Sequence, residues 1–571
     1  MPAIPRKLCL LAMILMLAGC GGGGSSQVIT PTITLVTPIA TTIAAGSQLQ
    51  LNAVVSNSSN TTVLWYVNSI PGGNSVVGTI TPQGLYTAPN MPTSNGAVVI
   101  SASPQAYPAA ATSVTIGITF SNASLNGNYV FTLKGVQAGS PWSVVGSFSA
   151  NNGQISNGVE DINGSAGVFQ ALPFTGSYFM DASGIGIATF TSSQGTITLD
   201  LAFNTQGQAV VMRTDNGTAA SGIFYPQQST ALTLTSLDAP YVFSLSGNDA
   251  SGTSVNAIGI FVTDGSNTLS TAEQDLNVGG SIANEPLSGS YSIGSNARGT
   301  ASFTDAAGTR TYSFYIVSPG QLEFIETDAQ GNLSGSAFEQ QSVTASTTLT
   351  GSYVFYAAGS SGSAAFGTAG GFATSTTTAD SISAGTSDLN VGGIPASNQT
   401  LTGNFTFGAN GRGTVTLSAA SGTSNYVFYA ITPISAYLLS SDPGINASGQ
   451  LLLQSGGFST AVYNGNFTLS LASPVGATPN LAVGVMSLNG LGAIVGFENQ
   501  NTNGTASGQL SVAGVYSITA PTTTTSTRGL MTLTTNGGAS TNFAIYPVNA
   551  GSIIVLGAGA TPVTGLLVGQ Y

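Results

Sequence analysis

Histidine is absent from all 571 residues. That excludes Ser-His-Asp and Cys-His nucleophile systems, H-E-x-x-H zinc sites and most zinc or copper centres. Cysteine is nearly absent too, with Cys9 and Cys20 the two present, so the chain beyond Cys20 must rest on sheet hydrogen bonds and core burial without internal disulfides. Charged residues make up 5%, against ~25% in an ordinary soluble domain. The apolar fraction of 42% is ordinary, which is not the composition of a disordered chain. Beyond Lys7 the basic residues are Lys134, Arg213, Arg298, Arg310, Arg412 and Arg528. So few cations exclude nucleic-acid binding and a polybasic grip on anionic lipid. A Ser-Lys hydrolase would need Lys134, yet Phe131 stands where an S-x-x-K motif requires serine. No P-loop or dinucleotide fingerprint is set between a strand and a helix.

What is present begins with a leader. Arg6 and Lys7 precede an apolar run from Leu8 to Leu17. The run is too short for a membrane-spanning helix of ~20 residues but suits the apolar region of a signal peptide. It ends in Leu17-Ala18-Gly19-Cys20, which resembles the lipobox of bacterial lipoproteins. The resemblance implies a signal peptide over 1-19, lipidation of Cys20, and a membrane anchor through that lipid. Gly21, in place of an acidic residue, implies by the same resemblance an outer-membrane address in the cell envelope. Residues 20-27 form a Gly/Ser tether.

From 28 to 120 short alternating runs, among them Val63-Leu64-Trp65-Tyr66-Val67-Asn68 and Val98-Val99-Ile100-Ser101-Ala102, are broken by Pro and Gly turns. That pattern predicts a β-sandwich. The V-x-W-Y-V-N run, followed by Gly72-Gly73-Asn74 and by Gly78-Thr79-Ile80-Thr81-Pro82-Gln83-Gly84-Leu85-Tyr86-Thr87-Ala88-Pro89, resembles the bacterial immunoglobulin-like modules of surface proteins and adhesins. The resemblance implies a stalk or presentation module without catalytic residues. Trp65 is expected in its core.

The remaining chain repeats. Asn128-Tyr129-Val130-Phe131, Pro240-Tyr241-Val242-Phe243, Ser352-Tyr353-Val354-Phe355 and Asn466-Phe467-Thr468-Leu469 recur at intervals of about 110 residues. Gly176-Ser177-Tyr178, Gly289-Ser290-Tyr291, Gly403-Asn404-Phe405 and Gly514-Val515-Tyr516 recur in parallel. Four copies follow: 123-229, 237-342, 348-455 and 462-571. In the second copy eight alternating runs are visible: Tyr241 to Leu245, Ala257 to Val262, Thr268 to Gln274, Gly289 to Ile293, Gly299 to Phe303, Thr309 to Val317, Gln321 to Thr327 and Ser334 to Phe338. The expected fold is all-β, an Ig-like sandwich followed by four tandem antiparallel domains strung as beads, each an up-and-down barrel or a sandwich. These repeats also resemble uncharacterised secreted bacterial repeat proteins, a likeness that implies no function.

Several polar elements recur. Asp161-Ile162-Asn163, Asp275-Leu276-Asn277 and Asp388-Leu389-Asn390 are matched in the fourth copy by Asn499-Gln500-Asn501. Such oxygens suit Ca²⁺, which needs six to eight of them, but an Asx-turn explains them better. Arg298-Gly299, Arg412-Gly413 and Arg528-Gly529 are replaced by Ile185-Gly186 in the first copy. These arginines suit a stacked or ion-paired structural role, with Asp275 pairing Arg298 and Asp388 pairing Arg412 as one arrangement. Glu326 and Asp328 fall on one strand face and Glu323 on the other; a glycoside hydrolase needs a carboxyl pair ~5–10 Å apart, while Asp before Gly is ordinary turn chemistry. Trp142, after Ser140-Pro141, is the candidate for an exposed ligand-binding aromatic. Together these features predict a non-enzymatic, envelope-anchored surface lipoprotein with a structural or adhesive role and weak multivalent contact with polysaccharide or other cell-surface components. The alternatives are a carboxylate-dependent polysaccharide-active enzyme and a lipocalin-like carrier.

Overall fold

The computed structural model describes residues 29–36, 40–204, 206–228, 232–344, 347–474, 477–521, 526–560 and 562–570. The expected signal peptide, Cys20 and the tether lie outside the described residues. Among the described residues no helix is long and apolar enough to cross a membrane, and the chain is all-β apart from short 3-10 turns.

The N-terminal domain packs two main sheets around one core. Val63–Val67, Ala97–Pro104 and Thr112–Thr119 lie side by side in one sheet, which Thr42–Ala44 joins in parallel. Gln48–Gln50, Leu85–Thr87, Gly78–Ile80 and Gly73–Asn74 form the other. Alternation sends Trp65 and Val67, Ile100 and Ala102, and Ile80 and Tyr86 to the shared interior, where all are buried. Ser121 then donates its hydroxyl to the Ala45 carbonyl at 2.8 Å, fastening this domain to the first repeat.

Each repeat is an eight-stranded antiparallel up-and-down barrel. Barrel 1 runs from Gly127–Gln137 to Thr218–Pro226, barrel 2 from Pro240–Asn248 to Ser334–Glu339, and barrel 3 from Ser352–Ser361 to Ile445–Leu453; in each the last strand pairs the first. Barrel 4 closes in the same way, since Asn464–Ala472 pairs both Asn480–Asn489 and Thr564–Gly569, and Asn480–Asn489 goes on to pair Ala493–Thr502. Its short extra strand, Thr505–Ala506, folds back on Ala493–Thr502. Closure removes the free edges that invite aggregation, and it decides for the barrel over the sandwich. All eight runs anticipated in the second copy are strands.

Inward-facing side chains fill the barrels. In barrel 1, Phe131, Phe148, Phe174, Phe190 and Phe224 form one cluster, with Phe174 and Phe190 stacked at 4.7 Å. Barrel 2 uses Phe243, Phe261, Phe303 and Phe324; barrel 4 is mostly aliphatic, with Leu469, Met486, Val512 and Met531. The recurring tyrosines Tyr129, Tyr241 and Tyr353 are buried packing residues. The second marker has a hydroxyl role. Tyr178, Tyr291 and Tyr516 donate to the carbonyls of Leu125, Leu237 and Tyr463 at 2.5, 3.1 and 2.5 Å, pinning the entry turns of barrels 1, 2 and 4, while barrel 3 has Phe405 at this place.

The barrels are not beads. The outer faces of each barrel's opening strands pack on the sixth and seventh strands of the next. Val130 and Val145 meet Tyr315, Val317 and Ile325; Val242, Ile258 and Ile260 meet Val427, Tyr429 and Leu439; Val354 and Ala369 meet Ala544, Tyr546 and Ile554. The same geometry then returns to the start, with Leu481, Val483 and Val485 of barrel 4 on Ala202, Val210 and Met212 of barrel 1. Head-to-tail contacts of one kind generate a ring when the rotation closes, and here it closes at four.

Candidate functional site

The recurring polar residues meet in the seams of this ring. Asp161, on strand Gln154–Gly164, is fully buried. Its carboxylate accepts from Arg298 of barrel 2 through Nε at 2.7 Å and Nη2 at 2.5 Å, and from the Tyr315 hydroxyl at 2.5 Å. Asp275 likewise accepts from Arg412 at 2.7 and 2.8 Å and from Tyr429 at 2.8 Å. Asp388 accepts from Arg528 at 2.6 and 2.7 Å and from Tyr546 at 2.5 Å. The expected pairing within one copy is therefore corrected. Each arginine serves the aspartate of the preceding barrel, which is why the first copy does without one. The calcium reading for Asp161, Asp275 and Asp388 also gives way, because both oxygens of each carboxylate face a guanidinium that would repel a cation. Among the described residues no group of three or more His, Cys, Asp or Glu is placed to hold a metal. Burial, with the neighbouring carboxylate second, pushes the Tyr315 and Tyr546 hydroxyls far up, so they stay neutral donors.

The asparagine two residues on is the element shared by all four seams. Asn163 donates to the carbonyls of Glu326 and Gly331, both at 2.9 Å, and Asn277 to Ser440 and Ile445 at 3.1 and 2.8 Å. Asn390 donates to Gly557 and Gly559, both at 2.9 Å. Asn501 of barrel 4 donates to Arg213 and Thr218 of barrel 1, both at 2.7 Å. The Asx-turn expectation holds in part, since the same side chains of Asn277, Asn390 and Asn501 accept from the amides of Gly280, Gly393 and Gly504. These hairpins need glycine. A Cβ on Gly280, at φ +92°, would stand 2.5 Å from Gly444 across the seam.

A further recurring residue escaped the sequence analysis. Gln227, Gln340 and Gln454, each just past the last strand, donate from Nε2 to the carbonyls of Ile316, Ala430 and Pro547 in the following barrel at 2.7, 2.8 and 2.6 Å. Gln570 does the same to Ser183 of barrel 1 at 2.7 Å. Their common spacing was the available signal.

Trp142 is not in an exposed loop. It lies on strand Ser140–Asn151 and is 5% exposed. The Arg213 guanidinium covers one ring face, 4.6 Å from its centroid, so that face is not a free stacking platform. Trp142 does line a cavity of about 160 Å³ at one end of barrel 1, together with Glu160, Arg213, Gln137 and Gln194. Burial pushes Glu160 up to about 7, against hydrogen bonding from Ser192 and the pull of Arg213. The result is a neutral-to-anionic carboxyl, a cation held by Asp215 at 2.8 Å, and amides, a set suited to hydrogen bonding a polyol.

The Glu326 and Asp328 pair is committed elsewhere. Glu326 accepts from Arg310 and from the Leu333 amide, both at 2.9 Å, while Asp328 accepts from the amides of Thr311 and Gln330. Both carboxylates thus brace the turn that joins the last two strands of barrel 2. Glu323, on the opposite face, points out of barrel 2 and is held by Gln321 and Ser336 at 2.8 and 2.7 Å; burial pushes it up to about 7. No family model and no curated protein matches the chain.

Proposed function

We propose that this protein is a lipid-anchored, non-enzymatic component of a bacterial envelope, its recurring polar residues spent on architecture, with a ring of barrels as a structural or adhesive head on an N-terminal sandwich.

The support is one observation: the recurring aspartates, arginines and asparagines, with Tyr315, Tyr429 and Tyr546, are engaged in joining barrel to barrel. Catalytic repeats would instead present such groups to a cleft. The packed apolar interiors of the barrels favour this reading over a lipocalin-like carrier, which needs an open lumen. Adhesive contact belongs, on this reading, to the end of barrel 1, where Trp142, Glu160 and Arg213 leave room for part of a sugar.

Two experiments test it. In a bacterial host fed alkyne-palmitate, the full chain should incorporate the label and the Cys20→Ala variant should not; equal labelling of both removes the anchor. The detergent-solubilised protein should then be retained on a panel of envelope and environmental polysaccharides without releasing reducing ends. Release of reducing ends would overturn the non-enzymatic reading.

A further inference from the structure

The first strands of the four barrels face one another around the centre of the ring. Lys134, Ser246, Ala358 and Ala472 occupy corresponding places on them, and all four line a cavity of about 690 Å³ to which every barrel contributes. Small-molecule sites are typically ~300–1,000 Å³. The exposed Gly139 and Gly252 stand at its rim.

Lys134 is the one charged side chain in that wall. Its ammonium donates to the carbonyl and the hydroxyl of Ser246, both at 2.5 Å. Among the described residues no carboxylate lies within ion-pair distance of it; the five ion pairs all belong to arginines. Burial pushes the amine down to about 8. A charge withdrawn from water without a counter-charge is costly, and an ammonium has three hydrogens, of which Ser246 takes two. Ser221, directly opposite Lys134 in the strand pairing, adds a hydroxyl to the same wall. Val136, Pro141 and Leu481 supply an apolar surface beside them.

We propose that the axial cavity binds a small organic carboxylate with an apolar body, its carboxylate on the Lys134 ammonium and the Ser221 hydroxyl and its body along Val136, Pro141 and Leu481. The missing counter-charge calls for an anion, and the size and apolar part of the wall call for an organic one. A Ser-Lys acyl-transfer site fits less well. Lys134 holds the main-chain carbonyl of Ser246 as well as its hydroxyl, and the Ser246 strand is paired on both sides, with Asn256 and with Ser334, leaving no obvious amide for an oxyanion.

The test is calorimetric titration of the full chain with sodium octanoate at neutral pH, with inorganic phosphate as the bare anion. Octanoate should bind saturably at one site, with phosphate at least tenfold weaker. Lys134→Met should weaken octanoate at least tenfold. Because that substitution could disturb the seam, a second measurement uses the unaltered protein: octanoate should protect Lys134 from acetylation by acetic anhydride, mapped by mass spectrometry. Absence of octanoate binding, binding equal in Lys134→Met, phosphate as tight as octanoate, or unchanged acetylation would each overturn the proposal.

Discussion

In the seams joining barrels 1 to 2, 2 to 3 and 3 to 4, a buried aspartate on the earlier barrel meets an arginine and a tyrosine on the later one. In the seam that returns from barrel 4 to barrel 1 all three are replaced. Asn499 stands in the place of the aspartate, Ile185 in that of the arginine and Ala202 in that of the tyrosine. An acid does appear, but on the other side: Asp200 of barrel 1, at the position of Ser313 in barrel 2, lies beside Asn499. The apolar packing and the Asn501 contacts are kept. The shared part therefore builds the seam, and the variable part labels it. A barrel face carrying Asn499 offers no carboxylate to an arginine, and a face carrying Ile185 offers no cation to an aspartate, so wrong neighbours leave a buried charge unpaired. Barrels 4 and 1 are thereby matched to each other.

The largest expected effect breaks one labelled seam. Asp161→Ala strands Arg298 and Tyr315 in a buried site and should lower stability by about 3–5 kcal/mol, whereas Asn499→Ala, which removes a neutral partner, should cost about 1 kcal/mol. Urea unfolding of the full chain measures both. Equal losses would erase the distinction between the seams.

A second substitution moves the label. Asn499→Asp sets a carboxylate beside Asp200 with no arginine near, and should cost about 2–3 kcal/mol at pH 8. Adding Ile185→Arg should recover at least half of that, measured as the coupling in a double-mutant cycle. No recovery would mean that the arginine's place in the closing seam is not equivalent to that of Arg298.

The third expectation concerns pH. Burial raises Asp200 from 3.8 to about 6, with Asn499 acting against the rise. A carboxyl with a raised folded pKa binds more protons folded than unfolded between those values, so its penalty is absent below about pH 4 and complete above about pH 6. Asp200→Asn should therefore gain stability over the unaltered protein as pH rises through that window, by about 1–3 kcal/mol, and then hold the gain to pH 8. Glu160 and Glu323 also titrate upward of their usual range, but they cancel in the difference between the two proteins. A difference that does not change with pH would remove Asp200 as its source.

The repeat was legible because alternation and the Tyr-Val-Phe marker are local signals: Tyr241, Val242 and Phe243 announce a strand without reference to anything distant. Strand number in barrel 2 followed from the same rule. Closure did not, since hydrophobic alternation is the same in a sandwich and a barrel. The seams were hidden for a different reason. Asp161 and Arg298 are 137 residues apart, and nothing in either neighbourhood says which copy the partner is in. One clue was on the page, the arginine missing from the first copy and the aspartate from the last, which is the pattern left when each copy pairs with the next. Lys134 shows the same limit. Its serine is absent from the local motif because Ser246 comes from the neighbouring barrel. Trp142 was misplaced because Ser140-Pro141 looks like a turn, whereas Ser140 opens a twelve-residue strand with Pro141 at its edge.

The smallest expected effect compares the glutamine clasps. Gln340 donates to both Asn410 and Ala430 in barrel 3, at 3.1 and 2.8 Å, in a seam already held by Asp275 and Arg412. Gln570 donates to Ser183 of barrel 1 while its own carbonyl oxygen is buried without a partner. A satisfied neutral hydrogen bond is worth about 1 kcal/mol, but an unmet buried oxygen offsets part of that. Gln340→Ala should therefore cost about 1 kcal/mol and Gln570→Ala less than half as much in the urea midpoint of the full chain. Proteolysis should rank them the other way. Loss of Gln340 leaves a labelled seam with its ion pair intact, while loss of Gln570 loosens the closing seam, across which no ion pair runs among the described residues, so strand Thr564–Gly569 should be clipped faster under native conditions. A slower or unchanged clipping rate in Gln570→Ala would show that the apolar contacts of Leu481, Val483 and Val485 and the Asn501 hydrogen bonds keep the ring shut without the clasp.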